Sequence, residues 1–153
     1  MPSSYEGARE EIICEGAARL NALRQSFRLC EISSTFFVFS KVKLVDGFIE
    51  QLSNLDKYVD PKYKEHKFSS LISALANDSA NGEFENASQT IERLHRATEL
   101  LAQYLEAYGA TQNDHGGHEF LYKYREQLGS VIDLLEELRK PWNNKVSKFP
   151  VCL

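Results

Sequence analysis

The sequence predicts an all-α protein, an antiparallel bundle of four or five helices. Three observations predict it. Apolar residues recur at gaps of three and four over several long stretches, which is the spacing of one helix face. The connecting stretches are short and rich in Gly, Pro, Asn and Asp. Finally, 42% hydrophobic and 26% charged residues in a chain of 153 suit one globular domain with a sizeable core.

The first helix opens on Ser3-Ser4-Tyr5-Glu6, a capping-box pattern in which serine and glutamate satisfy each other's orphan amides. Tyr5, Ala8, Ile12, Gly16, Leu20, Leu23, Phe27 and Cys30 then mark its buried face. Gly7 and Gly16 weaken it by up to ~1 kcal/mol each relative to alanine, and they permit close approach of another helix.

The second segment, TFFVFSKVKLVDGFIEQLSNL, carries two patterns. Val38, Val42, Val45, Ile49, Leu52 and Leu55 form a helical stripe, whereas Phe36, Val38, Val42 and Leu44 also fit a strand's alternation. The helix is preferred because its stripe runs on after the alternation stops at Val45. Asp60-Pro61 reads as a cap followed by proline at the first helical position. Tyr63, Phe68, Leu71, Ile72 and Leu75 support a short third helix ending near Asn77, with NDSANG as a loop.

Phe84, Ala87, Ile91, Leu94, Thr98, Leu101, Leu105 and Tyr108 define a fourth helix, with Gly109 as a natural left-handed cap and Glu92 facing Arg96 on its outside. A fifth places Leu121, Tyr124, Leu128, Val131, Leu135 and Leu138 inward, and Pro141 stops it after Arg139 and Lys140. Residues 1–140 are expected to form a single domain, and 141–153 a tail packed on it.

With 18 basic and 22 acidic residues the net charge is −4, without the basic surplus of a nucleic-acid binder. No apolar run approaches the roughly 18 residues that span a bilayer, and MPSSYEGAREEIICEG lacks the pattern of a signal peptide. A cytoplasmic setting is therefore expected. The sequons Asn77-Asp78-Ser79 and Asn86-Ala87-Ser88 then carry no meaning. Cys14 and Cys30, read as lying about 24 Å apart on one helix, cannot bridge. Cys152 is second from the end and makes no prenylation box. Three reduced cysteines fit the same compartment.

Chemistry-bearing patterns are few, and no cofactor is implied. Asn113-Asp114-His115-Gly116-Gly117-His118-Glu119 gathers two histidines and two carboxylates. The paired glycines break the rigid helical frame that would make His115, His118 and Glu119 converge on a metal, so a connector is the simpler account. Glu92-x-x-His95 is half of a di-iron carboxylate motif whose second copy is absent. The bundle with His95 in mid-helix also resembles histidine phosphotransfer domains in architecture. That family follows its histidine with lysine and glycine, where this chain has Arg96-Ala97-Thr98-Glu99. No nucleophile elbow, phosphate-binding loop or neighbouring Cys–His pair occurs, so catalysis is not expected. KYVDPKYKEHK mixes lysine with tyrosine, but Asp56, Asp60 and Glu65 dilute its charge.

Two stretches read instead as partner-binding. Phe36, Phe37 and Phe39 exceed what one face of a helix buries, and an exposed remainder would mark an interface. In the tail PWNNKVSKFPVCL, Trp142, Val146 and Phe149 are spaced one helical turn apart, to pack back on the bundle or dock in another protein's groove. The expected function is a non-enzymatic protein–protein interaction or assembly module, binding a protein partner or itself. The alternative is a histidine-centred metal-binding or phosphotransfer bundle.

Overall fold

A computed structural model describes residues 5–31, 39–58, 68–82, 84, 87–108, 117–140 and 143–144. They comprise α1 (Tyr5–Arg28), β1 (Cys30–Glu31), α2 (Phe39–Asp56), α3 (Ser69–Ala80), α4 (Ala87–Tyr108), α5 (Gly117–Arg139) and β2 (Asn143–Asn144). The protein is an all-α helical bundle, with β1 and β2 joined as a two-residue antiparallel bridge.

Side-chain contacts set the direction of each rod. Glu15 meets Arg125 at 3.1 Å, and Arg19 meets both Asp133 and Glu136 at 2.7 Å, so α1 and α5 run parallel. Gln127 Nε2 donates to the Gln51 carbonyl at 3.0 Å, while the Tyr58 ring lies 5.4 Å from that of Phe120, which sets α2 antiparallel to α5. Asp46 accepts from Ser79 Oγ at 2.8 Å and Asp56 accepts from the Phe68 N–H at 2.9 Å, so α3 opposes α2. Phe68 packs edge-on against Tyr104 at 4.5 Å and Asp78 pairs with Arg93, so α4 opposes α3. The helices alternate in direction along the chain. In space the order is α3, α2, α5, α1, α4, and α4 comes round beside α3.

The interior is built from the expected stripes. Leu20, Leu23 and Phe27 of α1, Leu94, Leu101 and Leu105 of α4, and Leu121, Tyr124, Leu128, Val131, Leu135 and Leu138 of α5 are all buried. Such burial removes roughly 1.5–3 kcal/mol worth of apolar surface per large side chain from water. In α2 the buried row is Val45, Phe48, Leu52 and Leu55, with Ile49 only partly covered. Residues 39–45 are helical, so the alternation seen there is not a strand; Phe36 and Val38 lie outside the described residues. The two buried threonine hydroxyls are satisfied: Thr98 Oγ1 donates to the Leu94 carbonyl at 2.7 Å, and Thr90 Oγ1 to that of Phe84 at 3.2 Å.

Several boundaries differ from expectation. The α1 helix stops at Arg28, so Cys30 sits on β1 and not on the same helix as Cys14, which is exposed. Phe68 is the N-cap of α3 and not an interior helical residue, and α3 runs on to Ala80. Most of the supposed NDSANG loop is therefore helical, and the chain turns at Asn81-Gly82, where the φ of Gly82 is 73°. Asp78 and Ser79 have partners on α4 and α2, and these contacts hold the last turn of α3 against its loop-like composition. Phe84 is buried but precedes α4. The capping box at Ser3-Ser4, Asp60-Pro61 and Gly109 lie outside the described residues.

Gly16 is where three helices meet. A Cβ placed there would lie 2.8 Å from a methyl of Leu105 and 2.8 Å from a methyl of Leu128. The same addition at Gly47 or Gly129 meets nothing within 4 Å. Gly47→Ala and Gly129→Ala are expected to stabilise the protein by about 0.5–1 kcal/mol each, through helix propensity alone. At Gly16 that gain is opposed by overpacking. Gly16→Ala is expected to be destabilising by about 1 kcal/mol and Gly16→Val by about 3 kcal/mol, read from urea unfolding.

Tyr124 supplies a pH-dependent test. Burial raises its phenol well above the ordinary tyrosine range, so the folded protein keeps the proton while the unfolded chain releases it above about pH 10. Stability from this group is complete below that pH and is lost as pH rises further. Between about pH 9 and about pH 11, wild type is expected to lose stability more steeply than Tyr124→Phe. The difference in slope should reach up to about 1.4 kcal/mol per pH unit. Equal slopes in urea titrations would contradict it.

Candidate functional site

The α3–α4 seam is tied at two levels and open between them. Phe68 and Tyr104 close one level by ring packing, and the Asp78–Arg93 ion pair closes the other. Between them lies a cleft of about 630 Å³, within the ~300–1,000 Å³ typical of binding sites. Leu71, Ala74, Leu75 and Asp78 form one wall; Glu92, Arg93, His95, Arg96 and Glu99 form the other.

Helical spacing explains the division. Leu71, Ala74, Leu75 and Asp78 follow one another at three and four residues and share a face of α3. Leu75 is buried at the base, Leu71 is half-buried and Ala74 is exposed, so apolar surface grades from core to cleft. Across the seam, Leu94, Ala97 and Thr98 point into the core, which sets Glu92, His95, Arg96 and Glu99 along the rim.

The charges are largely paired within the walls. Arg93 donates from Nε to Asp78 and from Nη1 to Gln89 Oε1 at 3.1 Å. Arg96 reaches Glu99 at 3.7 Å, a long contact in which the arginine side chain is 68% exposed. The expected Glu92–Arg96 facing therefore gives way to a pair with Glu99, on the same helix and three residues on. Among the described residues Glu92 has no ion-pair partner.

His95 is half-buried, and its Nε2 is covered without a hydrogen-bond partner among the described residues. An unsatisfied buried polar atom costs about 1–3 kcal/mol. A covered Nε2 cannot receive a phosphoryl group at that atom without first moving.

The other sequence candidates fall elsewhere. His118 and Glu119 occupy the first turn of α5, both exposed. His118 packs edge-on against Tyr5 at 6.1 Å, and Glu119 pairs with Lys123 at 3.5 Å. Among the described residues no three His, Cys, Asp or Glu side chains gather where they could hold a metal ion. His115, Phe36, Phe37, Trp142 and Phe149 lie outside the described residues, and Phe39 opens α2. The β1–β2 bridge pairs Cys30 with Asn144 and Glu31 with Asn143. It thus joins the chain just before the Phe36–Phe39 cluster to the chain just after Trp142, at the end of the bundle where α1 and α5 finish.

No family model, curated protein or solved structure matches the chain. Among the described residues no helix is long and apolar enough to cross a membrane.

Sequence reasoning singled out Glu92 and His95 only as half of a metal motif or, for His95, a phosphotransfer candidate, and did not foresee the α3 wall that faces them. The one signal available was Leu71-x-x-Ala74-Leu75, a small residue between two leucines, which leaves room over a helix face.

Proposed function

We propose that this chain is a non-enzymatic protein-interaction module, working in the cytoplasm, that takes a segment of a partner protein into the α3–α4 cleft. The observation that carries this reading is the cleft itself, an apolar wall facing a charged rim in the α3–α4 seam. Pairing of Asp78 with Arg93 and of Glu99 with Arg96 supports a binding role, because charges neutralised by their neighbours position a partner better than they move protons. Ala74→Trp puts an indole into the cleft from an exposed position and leaves the core untouched. Wild type is expected to retain a stoichiometric protein from its own cell extract that Ala74→Trp does not, with equal helicity and melting temperature in both. Equal retention by the variant would contradict the proposal.

A second surface is favoured by the β1–β2 bridge, which joins the chain segments flanking Phe36, Phe37, Phe39 and Trp142. Leu29, beside the bridge, is 37% exposed. Self-association through this end, with Phe149 contributing, is the assembly form of the same module. Sedimentation should then give a dimer or larger species for wild type and a folded monomer for Phe37→Ser/Phe39→Ser. A wild-type monomer, or an unfolded variant, would remove it.

A further inference from the structure

We infer that the occupant of the α3–α4 cleft is a cationic amphipathic helix, an inference that rests on reading the cleft as a docking surface. Both walls are helices, whose backbone groups are already bonded within each rod. They offer no open ladder to which an extended strand could add. An occupant must therefore satisfy its own backbone, and a helix does so.

The wall from Leu71 to Asp78 is about 10 Å long at ~1.5 Å per residue, two turns of helix. Two turns present a stripe of three aliphatic side chains at i, i+3 or i+4, and i+7. These would lie on Leu71, Ala74 and Leu75.

Charge selects among such helices. Asp78, Glu92 and Glu99 outnumber Arg93 and Arg96 around the cleft, and the acid left over is Glu92. Lysine or arginine flanking the occupant's aliphatic stripe reaches Glu92, while a glutamate there meets uncompensated like charge. The chain's overall charge of −4 adds a weak long-range attraction of the same sign.

The test uses three labelled synthetic peptides with one leucine stripe, their flanking positions filled by Lys, Gln or Glu. Fluorescence polarisation is measured against the full chain as wild type, Ala74→Trp and Glu92→Lys. The lysine peptide is expected to bind wild type about fivefold more tightly than the glutamine peptide, with the glutamate peptide weakest. Ala74→Trp should abolish binding of all three, and Glu92→Lys should reverse their order. Equal affinity for the three peptides, still abolished by Ala74→Trp, overturns the charge preference and leaves the docking reading standing. Binding that Ala74→Trp does not affect, or no binding of any peptide, overturns the docking reading itself.

Discussion

The absence of a side chain at Gly16 is the constraint on which the rest of the bundle depends. Methyl groups of Leu105 and Leu128 occupy the space that any Cβ there would need. Through this contact α1 lies against α4 and α5 together. The glycine lowers the intrinsic stability of a long helix, and tertiary packing more than offsets the loss. Polar contacts then fix the register of the α1–α5 pair. Arg19 reaches Asp133 and Glu136 on its outer side, and Arg125 reaches Glu15. These pairs are partly or largely exposed and add little energy, but they specify which turn of α1 meets which turn of α5.

Tight packing on one side of the ring leaves the opposite side loose. The α3 helix has 12 residues, about half the length of the 22-residue α4 beside it. It is fastened mainly to α2, and it reaches α4 through a ring contact near its start and an ion pair near its end. Between those fastenings α3 offers half-buried Leu71, exposed Ala74 and buried Leu75, and the cleft follows from that geometry. A site formed this way belongs to the spacing between two helices and not to any motif within one.

That distinction explains what could be read from the sequence. The α4 and α5 stripes were legible because each buries one face, and the three-and-four period states that face directly. The α2 row was displaced by one position toward Phe48, since the apolar residues around Val45 fit more than one stripe. The end of α3 was misjudged because Asn77-Asp78-Ser79 is loop-like by composition, whereas its partners Arg93 and Asp46 are distant in sequence. For the same reason His95 could be placed beside the core while the leucine wall opposite it could not. The aromatic segment from Phe36 and the tail with Trp142 and Phe149 were read from composition as excess apolar surface, whereas the bridge of Cys30-Glu31 to Asn143-Asn144 is a backbone pairing with no side-chain signature.

The parallel pairing of α1 with α5 has a consequence for how the chain is made. Of the described helices the earliest made, α1, packs chiefly against the two made latest, α4 and α5. Until α4 and α5 leave the ribosome, the apolar face running from Ile12 to Phe27 has no rods to rest on, and the emerging chain carries it uncovered. Completion of the bundle is therefore a late, long-range closure, slower than the zipping of neighbouring hairpins. Premature termination anywhere before α4 would release a greasy first helix for chaperones and proteases to deal with.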